Sequence, residues 1–416
     1  MNKGMEGFKY FLSRLTELSL YVMVFSLPLS KSAIEICAIV AISCWALRKL
    51  LMGADGMKLA PGGLNRPMLV FYLISFLSIF RSTDPSASFS AFLTKLSEYV
   101  LLYFIVVETI TDKRMVRNIA IAAALSVSVG CLDAVYQLFT GSDLIRGYPL
   151  HSLERMTGPF KFPNGFSGWL IVIIFPITSV AIFFKENKAV KSTCILLLAL
   201  TAYCVFYGFT RAAFLSLLLG MGIMFMLASP RRSIIVLALV LIALPLLVIF
   251  LPDGAKNHVY LLKIFGGSST GHRLMVWTAG LKMFLERPVL GQGYNMFMAN
   301  YARFRLPEDS GIWYAHNSYL QIAAETGILG LVSFIWVIAK AAVISLRSWR
   351  SIGDSLLKFI YLGLFCGIVS FLVLSFFDVT HFSLRPAVLF YLSLGVLIAI
   401  NNIGSGVMEE PGHGKV

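Results

Sequence analysis

The sequence predicts an all-α polytopic membrane protein of about twelve transmembrane helices, and three observations carry that expectation. Of its 416 residues, 58% are hydrophobic and only 13% charged, with a mean hydropathy of +0.80. A water-soluble fold has no place to hide so much apolar surface. The apolar residues gather in runs of roughly 17–25, the length a helix needs to cross a bilayer. Basic clusters then fall between alternate pairs of runs, as the positive-inside rule demands.

The runs lie near 15–29, 32–51, 67–81, 90–110, 115–139, 166–184, 192–209, 212–228, 233–251, 327–346, 358–377 and 386–403. The first holds Glu17, ends at Pro28 and lacks a small-x-small cleavage site, so it reads as a retained span rather than a signal peptide. With the N-terminus in the cytoplasm, Lys3/Lys9/Arg14, Arg48/Lys49/Lys58/Arg66, Lys113/Arg114/Arg117, Lys185/Lys188/Lys191, Arg231/Arg232 and Arg347/Arg350/Lys358 all fall on the inner side. Both termini are then cytoplasmic, and the net charge of +14 marks topology rather than nucleic-acid binding. The six cysteines (Cys37, Cys44, Cys131, Cys194, Cys204, Cys366) sit inside expected spans without CxxC or Cys/His spacing. Neither a disulfide framework, a metal nor a cofactor is expected.

No internal repeat divides the chain, so residues 1–416 read as one integral membrane domain. Two outer loops are long: 140–165 and, larger, 252–326. Within the latter, residues 273–287 place Leu274, Trp277, Leu281, Phe284 and Leu285 at helical spacing, and Pro288 and Gly291 stop the helix. A second helix-like stretch covers 294–305 and ends in Arg303 and Arg305. These elements are expected to lie on the membrane surface or cap a cavity.

Both loops break the positive-inside rule. They carry Arg146, Arg155, Lys161, Lys256, Lys263, Arg273, Lys282, Arg287, Arg303 and Arg305 against Asp143, Glu154, Asp253, Glu286, Glu308 and Asp309. Arg211 joins them, interrupting an apolar run within YGFTRAAFLSL. Cations placed against the insertion bias imply compensation, and an anion held by charge-assisted hydrogen bonds supplies it. The bland reading of Arg211 is a side chain that snorkels to lipid headgroups.

His316 opens HNSYLQIAAETGILG, where the long outer loop re-enters a hydrophobic helix. Ser318-x-x-Gln321 fits a capping box, which leaves His316 just before the helix, where the dipole disfavours imidazolium and keeps a neutral base available. Alternatively the helix starts earlier, and His316, Ala323, Gly327 and Gly330 share a small face for close helix approach. A hydrogen-bonded structural histidine is the plain competing reading. Upstream, RMTGPFKFPNGFSGWL presents Arg155, Lys161 and Asn164 on the outer side, and Gly291-Gln292-Gly293-Tyr294-Asn295 forms a glycine turn without the strand a dinucleotide fingerprint needs. No nucleophile–base pair, paired carboxylates or P-loop appears. Transfer from an activated lipid needs none, since positioning, anion stabilisation and one base suffice.

HNSYLQIAAETGILG resembles the histidine signature of the O-antigen ligase and O-antigen polymerase superfamily. TGPFKFPNGFSGWL is similar to that superfamily's G-x-F-x-x-P-N segment, TRAAFLSL to its arginine-bearing span, and GHRLMVW with GQGYNMF to its loop segments. The resemblance covers 155–330 and implies a type-C glycosyltransferase-like fold in a bacterial inner membrane. It implies transfer of glycan from undecaprenyl pyrophosphate to a sugar hydroxyl of lipid A–core oligosaccharide at the periplasmic face, inverting and metal-independent. His316 would be the general base, and Arg211 and Arg273 would hold the pyrophosphate. Arg155, Lys161, Asn164, Tyr294, Asn295 and Asn317 are the candidate substrate contacts. Within the superfamily a polymerase competes, whereas a protein O-oligosaccharyltransferase fits less well because no sizeable soluble extension follows Asn402. A lipid-linked glycan transporter is the reading from another class; it calls for polar groups near the midplane in repeated halves.

Overall fold

The computed structural model describes residues 3–53, 56, 58–151, 155–208, 210–229, 268–309 and 311–406. The described helices are α1 (Lys3–Ser26), α2 (Lys31–Met52), α3 (Asn65–Ser78), α4 (Pro85–Thr109), α5 (Lys113–Thr140), α6 (Pro163–Phe183), α7 (Lys188–Tyr207) and α8 (Arg211–Ala228). After them come α9 (Ser268–Glu286), α10 (Phe297–Phe304), α11 (Ser318–Ser348), α12 (Ser355–Leu374) and α13 (Leu384–Gly404). Among the described residues there is no strand, only the isolated bridges Ser142–Pro149 and His151–Arg155. The protein is an all-α polytopic membrane protein. Within the described residues, α4, α5, α6, α7, α8, α11, α12 and α13 are long and apolar enough to span a bilayer. The expected span at 233–251, with Arg231, Arg232, Asp253, Lys256 and Lys263, lies outside the described residues, as does Glu154.

Local chemistry starts these helices where polar residues interrupt the apolar runs. Ser30, Asp84, Asp112, Asn187 and Asp354 cap α2, α4, α5, α7 and α12, each accepting a backbone N–H of the first turn. Pro163 opens α6, where its missing N–H costs nothing. Two outcomes differ from the hydropathy reading. α1 begins at Lys3, well ahead of the apolar run, because Lys9, Arg14 and Glu17 are good helix formers and Arg14 pairs with Glu17 at 2.5 Å. α9 likewise begins at Ser268 rather than 273.

The bundle is centred on α6, α12 and α13, the most buried of the long helices together with α4. α6 packs along α12. Gly363 and Gly367 allow it: a Cβ on Gly363 would lie 2.4 Å from Pro176 Cα, and one on Gly367 2.5 Å from the Val172 carbonyl. In a membrane such packing, rather than water exclusion, drives helix association. Lys113 pairs with Asp354 at 3.2 Å, so the starts of α5 and α12 share one end of the bundle. The opposite end carries the irregular 141–162 segment, the α12–α13 turn, α9 and α10. There Val276, Ala279, Met283, Phe297, Tyr301, Phe304, Ala315 and Ala324 form a second, smaller apolar core.

α11 is broken inside. Gly327 has φ 68° and ψ −170°, and the turn after α9 fills the gap. Gln292 and Gly293 donate to the freed carbonyls of Ala324 and Glu325, each at 2.9 Å, while Ile328 donates to the Pro288 carbonyl at 2.7 Å. These bonds give the freed carbonyls of Ala324 and Glu325 and the Ile328 N–H protein partners, which is what irregular backbone at membrane depth requires.

Candidate active site

The site is built where α11 begins. Asn317 is the N-cap, its Oδ1 accepting from the N–H groups of Tyr319 and Leu320 at 3.0 Å each. A Ser318–Gln321 capping box does not form. Ser318 is already inside the helix, and its hydroxyl donates to the Asp378 carbonyl and accepts from the Thr380 N–H, both at 3.0 Å. Gln321 instead donates to Glu325. His316 therefore precedes the helix rather than sharing a face with Gly327. Its φ is +48°; among the described residues only Asn295 is another non-glycine with positive φ. Such a conformation costs on the order of 1 kcal/mol and persists only where its surroundings enforce it.

The Ser318 contacts stitch the α12–α13 turn against His316. Asp378 Oδ1 comes to 3.8 Å from His316 Nδ1, with both side chains about one-third exposed (33% and 28%). Burial pushes the Asp378 carboxyl up, yet the His316 imidazole, the Val379 N–H at 2.8 Å and the Arg273 guanidinium together hold it below the usual carboxylate range. His381, in the same turn, is the contrasting case. It is enclosed by Phe334, Phe371 and Phe390, and burial pushes its imidazole down to about 3, so it stays neutral and out of reach.

Three arginines gather at this end. Burial lowers Arg155, and the nearby Arg211 lowers it further. Burial also lowers Arg273; Asp378 acts against that, and Arg211 reinforces it. Half-buried guanidiniums that disfavour one another's charge are stabilised by an anion set among them. Arg155 is partly committed already: Nε donates to the Gly208 carbonyl at 3.0 Å and Nη2 to Thr210 Oγ1 at 3.1 Å, shaping the turn that starts α8. Arg211, the first residue of α8, is exposed and has no hydrogen bond or ion pair among the described residues. A histidine, its neighbouring carboxylate and three clustered guanidiniums can together serve an anionic leaving group.

Residues 196–335 match the protein family described as O-antigen ligase. That stretch resembles an O-antigen ligase domain. The chain is also similar to the O-antigen ligase of Salmonella typhimurium (strain LT2), 23% identical over 287 residues, covering 64% of this chain and 67% of that protein. It is similar, too, to the exopolysaccharide production protein ExoQ of Rhizobium meliloti (strain 1021), 22% identical over 289 residues, covering 66% of this chain and 63% of that one. The matched stretch contains Arg211, Arg273 and His316. Arg155 and Asp378 lie on either side of it in sequence, and folding returns both to the site.

The other candidate contacts have varied surroundings. Lys161 is exposed, its Nζ 5.6 Å from the Phe162 ring centre, and Asn164 is half-buried at the start of α6. The expectation that Tyr294 meets substrate encounters a ring only 3% exposed, stacked on Phe382 at 5.9 Å. Asn295 accepts from Lys95 Nζ at 3.2 Å and donates its N–H to Glu325 at 2.6 Å, and Asn317 is spent on the helix cap. These three residues hold the frame. Sequence reading left Asp378 and Glu325 without roles. Asp378 had one usable signal: it is the only acidic residue between α12 and α13, on the side that carries His316. Glu325 is fully buried and also accepts from the Phe297 N–H, so a carboxylate inside an apolar run caps α10.

Proposed function

We propose that this chain transfers a glycan from undecaprenyl pyrophosphate to a sugar hydroxyl of lipid A–core oligosaccharide, at the periplasmic face of the bacterial inner membrane. The observation that carries the reading is the cluster of Arg155, Arg211 and Arg273 beside the His316–Asp378 pair. Asp378 facing Nδ1 favours the proton on that nitrogen and leaves Nε2 with its lone pair toward the acceptor. The acceptor oxygen attacks the anomeric carbon and its proton passes to Nε2. The bond from that carbon to the pyrophosphate oxygen breaks, so the configuration inverts. Arg211 and Arg273 stabilise the charge that grows on the departing pyrophosphate, the task a metal ion performs in other phosphate-leaving reactions.

Purified protein, lipid-linked glycan and lipid A–core, combined with a chelator, should give the joined product. His316→Ala should lower kcat by roughly 10²–10⁴-fold, the range of general-base catalysis, and Asp378→Asn should lower it by at least about tenfold. Transfer at the wild-type rate by His316→Ala would sink the base assignment. A second reading is elongation of the glycan on its own carrier, favoured by the match to a protein named for exopolysaccharide production. Core and carrier-linked glycan supplied side by side separate the two by the mass of the product.

A further inference from the structure

Immediately before His316 the chain exposes apolar surface: Ile312 is 57% exposed, and Trp313 and Tyr314 40% each. Trp313 is nevertheless held in one pose. Its indole N–H donates to Asp309 Oδ1 at 3.2 Å, and the same buried carboxylate accepts the Gly311 N–H at 2.9 Å and the Tyr301 hydroxyl. Arg305 closes the turn on the Gly311 carbonyl at 3.1 Å. Gly311 is required there, because a Cβ would lie 2.1 Å from Trp313 Nε1. The His272 ring packs edge-on against the indole at 4.6 Å, and that ring lies 6.3 Å from His316. The arginine cluster and Asp378 approach His316 from other elements, namely the segment before α6, the start of α8, α9 and the α12–α13 turn.

A fixed, exposed indole beside a candidate base fits one ligand chemistry well. A pyranose presents C–H bonds on its face and hydroxyls around its rim, so it stacks on an aromatic ring while one hydroxyl reaches the base. The carboxylate of Asp309 at the edge of the indole disfavours an anionic sugar and favours a neutral one. An aromatic-belt residue of the membrane interface aims its polar edge at water and headgroups. Trp313 does the reverse and turns its N–H inward to Asp309.

We propose that Trp313, held by Asp309 and His272, is the stacking platform for a neutral pyranose of the acceptor glycan. This rests on the glycosyl-transfer reading above. Trp313→Ala should raise the acceptor KM roughly tenfold, as expected for loss of about 1.4 kcal/mol of stacking, and should lower kcat far less. Trp313→Phe should recover most of that loss, and the donor KM should not move in either variant. Binding is read separately from turnover by titrating core oligosaccharide freed of lipid A into the His316→Ala protein. The Trp313 fluorescence, taken as the difference from the protein that also carries Trp313→Phe, should shift with the sugar. An unchanged acceptor KM in Trp313→Ala, with transfer intact, overturns the platform and leaves the transferase reading standing. Quenching of Trp313 by brominated lipid with no response to the oligosaccharide also overturns it and assigns the residue to the bilayer interface. If no acceptor is glycosylated at all, the transferase reading fails and the titration alone decides the platform.

Discussion

Arg155 and Arg211 show how one residue type takes two jobs at the same site. Arg155 commits two N–H groups to the turn before α8, so it shapes the backbone that presents Arg211. Arg211 makes no such contact among the described residues and is free for a ligand. Arg155→Ala therefore removes two hydrogen bonds from that turn, while Thr210 still bonds the Gly208 carbonyl and Ser167, and should destabilise the protein by about 1–2 kcal/mol. Arg211→Ala should leave the melting temperature in detergent unchanged and raise the donor KM. Arg211→Lys should restore only part of that affinity, since a point charge replaces a planar fork. Melting curves recorded beside donor kinetics separate the two arginines. At the same scale, Asp378 stays charged at neutral pH. A carboxyl whose folded pKa is depressed contributes stability that is present above its unfolded value of about 3.9, and that contribution is lost only as the pH falls through the lower folded value. The contact with His316 thus persists across the neutral range.

α11 places the site by being discontinuous. Its glycines read from sequence as a small face for helix approach, but Gly327 is where the helix breaks, and a Cβ there would lie 2.1 Å from the Val289 carbonyl. Gly327→Ala should cost at least about 2 kcal/mol, from positive φ together with that clash, and should lower kcat because the 288–293 turn and the broken stretch of α11 at 324–329 lose their shared hydrogen bonds. Thermal unfolding in detergent and acceptor kinetics measure both effects; a variant as stable and active as the wild type would contradict this account. Glu325 completes the element by accepting the Asn295 and Phe297 N–H groups, so the break, the glycine turn and α10 stand as one unit. Glycine type was visible in sequence. Which glycine needs positive φ depends on the turn packed against it, over thirty residues away along the chain.

Across the whole molecule, the candidate site and the inner basic loops occupy opposite ends of the bundle. Lys113 and Asp354 mark one end, while Leu144, His316 and Asp378 mark the other. In a background lacking the native cysteines, Leu144→Cys should react with a membrane-impermeant maleimide in spheroplasts. Lys113→Cys should react only after permeabilisation. The opposite pattern would reverse the orientation read from the basic loops. A transporter reading needs polar groups near the midplane in two matching halves. The site described here lies at one end, and its members come from unlike elements.

Sequence alone determined the class of fold, because apolar run length and mean hydropathy are local sums that no tertiary contact can reverse. It also singled out the segments that carry the proposed site, since Arg211, Arg273 and His316 each break a local rule of composition or placement. The tertiary structure decided the pairings. Asp378 joins His316 only because Ser318 bonds the α12–α13 turn, sixty residues on. Tyr294, expected as a substrate contact, is buried in the core, and Trp313 stands exposed with its N–H tied down. Burial, and which polar atoms are already spent, are properties of the packed chain, and periodicity along a single strand of sequence does not carry them.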